Sequence, residues 1–147
     1  MAALGDSSFW VPLALPPHAF HEAARRWFDA QAAEKSVLFC RATQQSFLRL
    51  LTTKAVLRPY QLSAMTNAEA WTVYDGLLAD RRIAFAPEPQ GIEAHWRTFA
   101  TPTTASPKLW MDGYLAAFAL AAGHELLTTD KAFKQFKGVR VQVLTKS

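Results

Sequence analysis

Short apolar runs alternate along this chain with longer stretches in which apolar residues return every three or four positions. Ala2-Ala3-Leu4 reads as a strand, and Asp6-Ser7-Ser8 then supplies capping residues for a helix over Phe9 to Leu15. Pro16-Pro17 breaks that helix. From His18 to Ala33, Phe20, Ala23-Ala24 and Trp27-Phe28 fall near helical spacing with an arginine pair opposite, which predicts a second, amphipathic helix. Val37 to Cys40 predicts a buried strand, followed by a helix capped by Thr43 whose apolar side is Phe47, Leu48, Leu50 and Leu51. Thr66-Asn67-Ala68-Glu69 has the capping-box spacing and starts a helix that runs on through Ala70 to Ala79. Ile83-Ala84-Phe85 is the third expected strand, and Ile92, Trp96 and Phe99 mark another helix. After a polar, proline-containing loop from Thr101 to Pro107, Leu109 to Ala122 forms the clearest helix, ended by Gly123 and apolar on nearly every side, which implies deep burial. Leu126 to Thr129 and Val139 to Leu144 close the pattern as strands around a short helix from Ala132 to Phe136.

Strands that are continuous apolar runs, alternating with helices, call for a parallel sheet covered on both faces. The expected class is α/β, three layers deep (α/β/α), around a parallel sheet of about four to five strands. Its 147 residues, half of them hydrophobic, suffice for one domain spanning 1–147 with its own core. The one cysteine, Cys40, excludes an intrachain disulfide and a multi-cysteine zinc site, which fits a reducing compartment. No apolar run approaches the roughly 20 residues of a membrane span, so a soluble, cytoplasmic protein without membrane contact is expected. Sixteen Lys and Arg against twelve Asp and Glu leave a net charge of +4, which suits a polyanionic substrate or an acidic partner, although the basic residues form no dense block.

Chemistry concentrates in three aspartates. Asp6 and Asp130 each follow an apolar run at a helix start, and Asp112 lies near the start of the apolar helix. Singly, each has a structural explanation as a cap or a favourable charge near a helix N-terminus. Together, at the carboxyl ends of parallel strands, they would share one cleft, where mutual repulsion calls for a divalent cation. A water activated by that cation would attack a phosphodiester in line. Other candidates are weaker: His18 and His21 lack a third convergent ligand, Cys40 has no nearby histidine to activate it, and the five tryptophans fall on apolar helix faces, mostly as core or interface anchors.

Several blocks resemble the PIN-domain ribonucleases, and within them the VapC-type toxins of bacterial toxin–antitoxin pairs. They are Asp6-Ser7-Ser8, the stretch His18 to Phe28, Phe47-Leu48-Arg49-Leu50-Leu51-Thr52, Trp110 to Ala119, and Leu127-Thr128-Thr129-Asp130-Lys131-Ala132-Phe133. The resemblance implies a PIN-like fold and an endoribonuclease dependent on magnesium or manganese, silenced by a VapB-like antitoxin and working as a homodimer. It implies Asp6, Asp112 and Asp130 as catalytic metal ligands. Thr128 matches the Ser/Thr that precedes the last aspartate by two, and Ser8 stands where the family commonly has asparagine, so both are expected to orient the ligands. Ser46 replaces the usual glutamate ahead of the Phe-Leu-Arg block, where a neutral side chain cannot act as a base, and Ala132 replaces a weaker fourth acid. Arg49 is expected either at the scissile phosphate or paired with a carboxylate. Ser46 and Ala132 also motivate a reading in another class, a PIN module that binds RNA or a protein without cutting. A phospho-acceptor or phosphatase on a similar fold is disfavoured by the lack of an Asp-x-Asp motif.

Overall fold

The computed structural model describes residues 1–146. In chain order the elements are β1 (Ala3–Gly5), α1 (Ser7–Ala14), α2 (His21–Asp29), β2 (Val37–Phe39), α3 (Arg41–Leu51), α4 (Lys54–Leu57), α5 (Asn67–Leu78), β3 (Ile83–Phe85), α6 (Ile92–Phe99), α7 (Lys108–Ala122), β4 (Glu125–Thr128) and β5 (Val141–Val143). Short 3-10 turns at Arg58–Tyr60 and Lys131–Gln135 complete the set. The five strands form one sheet in the order β3-β2-β1-β4-β5, every neighbouring pair parallel.

Because successive strand residues point to opposite faces, the strands divide two cores between them. Ala3, Val37, Phe39, Ile83 and Leu127 face Phe9, Trp10, Phe28, Phe47 and Leu51 from α1, α2 and α3. Leu4, Leu38 and Leu126 face Ile92 of α6 and Leu115, Ala116, Phe118 and Ala119 of α7. The three layers expected from the sequence follow from this alternation. On the first face the Trp10 ring lies parallel to Phe39 with centroids 3.8 Å apart, and its indole N–H donates to the Gly5 carbonyl at 2.9 Å.

Local signals set several helix ends. Thr66 and Glu69 exchange hydrogen bonds as a capping box, the Thr66 hydroxyl accepting from the Glu69 N–H and the Glu69 carboxylate from the Thr66 N–H. Gly123 adopts φ 73° after α7, and the His124 N–H returns to the Ala119 carbonyl, a C-terminal arrangement that favours glycine. Elsewhere the ends differ from expectation. Thr43 is not the cap of α3. Cys40 holds that position, and the Thr43 hydroxyl, inside the first turn, accepts from the Cys40 N–H at 2.9 Å. Helix α2 is shorter than His18 to Ala33: His18 accepts the Phe20 N–H in a preceding turn, and Arg82 donates to the carbonyls of Phe28, in the last turn, and Gln31, just past it. Helix α4 and the turn after it occupy a stretch where hydrophobic periodicity predicts nothing, since four residues are too few to show a period. The expected last strand and last short helix shrink to Val141–Val143 and a 3-10 turn.

Helix α7 is only partly submerged. Leu115 to Ala119 are buried, whereas Trp110 is 63% and Met111 44% exposed. Asp112 and Gly113 beside them are buried, so the first turns show one side to solvent; the helix runs back from the carboxyl end of the sheet, since it must finish at the opposite edge to enter β4.

Gly5 tests this packing. A Cβ there would lie 2.8 Å from the Trp10 indole nitrogen and 2.9 Å from Phe9, both in fully buried rings. Gly5→Ala should therefore destabilise the protein by about 1–3 kcal/mol, read as a lowered urea midpoint. An unchanged midpoint would show that the ring can shift without cost.

Candidate active site

Strand β1 is where the chain reverses its direction across the sheet: β2 pairs on one side and β4 on the other. In open α/β sheets such a switch point leaves a crevice beyond the carboxyl ends of the strands. Asp6 is the first residue after β1 and Thr128 the last of β4, and the Asp6 N–H extends the ladder to the Leu127 carbonyl at 3.0 Å. Sheet pairing alone thus brings a carboxylate and a hydroxyl together across 122 residues of sequence.

The Thr128 hydroxyl donates to one Asp6 oxygen at 2.8 Å and the Ser8 hydroxyl to the other at 2.6 Å. A hydroxyl has one proton, so with both protons committed to Asp6 the 3.1 Å approach of the two hydroxyl oxygens adds no further bond. Each instead accepts a backbone N–H: Thr129 donates to Ser8 and Asp130 to Thr128. Asp6 occupies the N-cap position of α1, but its side chain caps nothing. Asp130 does cap, accepting from the Ala132 N–H at 2.9 Å.

Asp112 stands inside α7 rather than at its start, four residues after Lys108, the first residue of the helix. The Lys108 ammonium joins it to Asp130: Nζ lies 2.6 Å from Oδ2 of Asp130 and 3.4 Å from Oδ2 of Asp112. The three aspartates are therefore linked in series, Asp6 to Asp130 through Thr128 and Asp130 to Asp112 through Lys108. Among the described residues no group of three or more His, Cys, Asp or Glu side chains is close enough together to hold a metal ion as it stands.

The three carboxyls are electrostatically unequal. Burial raises the Asp6 pKa to about 6, against the lowering effect of the Ser8 and Thr128 hydroxyls. Burial also raises Asp112, opposed by Lys108 and reinforced by the Asp130 charge. Asp130 is lowered, first by Lys108 and then by the Ala132 N–H. Hard carboxylate oxygens are the donors that magnesium and manganese take. A buried carboxylate that resists ionisation, with two further acids already gathered around a cation, fits such an ion.

Of the remaining expected residues, Ser46 is half-buried on α3 and makes no hydrogen bond to the aspartates among the described contacts. Gln44, two residues earlier, is the buried amide of that helix and accepts from Arg41, whose guanidinium lies over the Phe85 ring. Arg49 is exposed about two turns along α3 and borders a small cavity of about 210 Å³ beside Trp71. His21 is engaged with the Pro12 carbonyl, as His18 is with Phe20, and Cys40 is a buried free thiol. Trp10 is core, as expected, but Trp71 and Trp110 are exposed. Lys108 is the residue that the sequence reading passed over, counting it only among scattered basic residues. Its signal was available as the i,i+4 spacing to Asp112.

The chain matches the PIN domain family over residues 3–139. It is 51% identical over 144 residues to "Ribonuclease VapC41" of Mycobacterium tuberculosis, covering 97% of this chain and 99% of that protein. Among solved structures, the fold is similar to that of Mycobacterium tuberculosis VapC20, described as a sarcin-ricin loop cleaving toxin, with TM-score 0.69, 15% identity, and coverage of 98% of this chain and 100% of that one. It is likewise similar to a chain of DNA-bound VapBC from Salmonella typhimurium, with TM-score 0.68, 13% identity, and coverage of 97% and 98%.

The Asp6 shift sets a pH dependence. With a folded pKa of about 6 against an ordinary 3.8, the folded state binds more protons between those values, so the metal-free protein loses stability as pH rises from about 4 to about 6. Above that window the cost is ~3 kcal/mol. Asp6→Asn removes the titration. Measured by urea unfolding in EDTA, the variant should gain on the wild type progressively over that pH range. A difference that does not change with pH would refute the buried-charge account.

Proposed function

Because this chain belongs to the PIN-domain family, and its VapC relative shares half its residues over nearly the full length, we propose that it is an endoribonuclease toxin of a toxin–antitoxin pair, with Asp6, Asp112 and Asp130 as the residues that hold a magnesium or manganese ion. The observation that carries the site assignment is the hydroxyl bridge from Thr128 to Asp6, which ties the ends of β1 and β4 to one carboxylate at the switch point. When bound, the ion supplies Lewis-acid polarisation of the scissile phosphate and activation of water.

The protein's own groups do the rest. Ser8 and Thr128 each give their single proton to Asp6, which fixes the plane of that carboxylate and leaves its other lone pairs for a ligand. Asp130 is held by the Ala132 N–H on one oxygen, so its second oxygen is directed to the cleft, where Lys108 meets it. Asp112 reaches the crevice from the first turns of α7. Arg49, exposed on α3 and in none of the described ion pairs, offers positive charge to an RNA phosphate, and Ser46 adds a polar group on the same helix.

A VapB-like antitoxin is the protein partner of this reading, and a homodimer its working form. The chain acts as a single PIN domain. No described helix is long and apolar enough to cross a membrane. The binding-only alternative, motivated by Ser46 and Ala132, is not favoured, because the links among the aspartates use neither side chain: Asp130 takes only the backbone N–H of Ala132.

Asp112→Asn decides the matter. RNA cleavage in magnesium or manganese should fall by roughly a hundredfold or more, while thermal unfolding stays near that of the wild type. Wild-type cleavage by this variant would sink the three-aspartate site.

A further inference from the structure

Lys108 is misplaced by the ordinary rules of helix electrostatics. It is the first residue of α7, where the helix presents the positive end of its macrodipole, and a cation there is unfavourable. What offsets this is the pair of carboxylates on either side of its ammonium, Asp130 at 2.6 Å and Asp112 at 3.4 Å. One positive group occupies the space between two acids that would otherwise repel each other. The side chain is 66% exposed, so its flexible methylene arm can swing into solvent without disturbing either core.

We propose that Lys108 is a resident counter-ion that competes with the divalent metal for Asp112 and Asp130, and that metal binding requires its release. This rests on the site reading given above. An ion held by these two carboxylates would draw on the same oxygens that the ammonium now engages. Two cations cannot share them, since their repulsion at contact distance exceeds what the carboxylates regain. The metal-free protein therefore keeps its acids paired, at the expense of metal affinity. The released ammonium stays tethered at the rim of the cleft, where an RNA phosphate would approach.

The test is manganese titration by calorimetry, without RNA, on the wild type, Lys108→Gln and Lys108→Arg, together with thermal unfolding of each in EDTA and in saturating manganese. Lys108→Gln should bind manganese about three- to tenfold more tightly, an advantage that shrinks as salt is added. It should also unfold at a lower temperature in EDTA, the gap closing in manganese. Lys108→Arg, which keeps the charge, should resemble the wild type. Equal or weaker manganese affinity in Lys108→Gln overturns the proposal, as does an arginine variant that tightens as much as the glutamine one. If that occurs while the wild type still binds manganese and cleaves RNA, the site reading stands and only the role of Lys108 falls. If neither wild type nor Lys108→Gln binds manganese, both fall together.

Discussion

Burying the Asp6 carboxylate at the end of the central strand is the constraint around which the rest of the structure is arranged. A charged group so far from water is costly unless hydrogen bonds satisfy it, and the two donors that do so come from different directions. Ser8 arrives because α1 begins immediately after β1, and Thr128 because β4 lies beside β1 in register, Gly5 opposite Leu127. The Trp10 indole secures the same corner from below by holding the Gly5 carbonyl. Sheet pairing, helix start and aromatic packing thus converge on one side chain.

The three acids are prepared differently for that reason. Asp130 lies at the rim with an ammonium and a backbone N–H on it and ionises readily, whereas Asp6 is enclosed by hydroxyl donors that carry no charge. Asp112 is intermediate, raised by burial but within reach of Lys108. The Asp6 charge is therefore the costliest of the three to hold in the absence of a cation.

How much of this was legible along the chain follows the range of the forces involved. The Thr66–Glu69 box and the Gly123 stop are written in a few adjacent residues, and the observed ends of α5 and α7 match them closely. The end of α2 is set by Arg82, more than fifty residues away, and no local pattern announces it. Thr43 misled because hydroxyl residues serve both as caps and, three positions on, as partners of the cap. At the site, Asp6 and Asp130 were singled out by their position after apolar runs and Asp112 by its place near a helix start, and the motif resemblance pointed to the same three. The role of Thr128 was implied by the resemblance, whereas its physical basis, the pairing of β1 with β4, needed the strand order, which periodicity does not supply. Lys108 went unread because a lysine in a polar loop-to-helix junction resembles any solvated charge until its two partners are seen.

The short strands give the pairing of β1 with β4 one more consequence. Side chains alternate between sheet faces, so a slip of β4 by a single residue would turn Thr128 away from Asp6 and send Leu127 to the opposite core. Such a chain would lack its hydroxyl bridge as well as its packing. The site thereby works as its own proofreader: the error that misfolds a misregistered molecule also takes the Thr128 hydroxyl from Asp6.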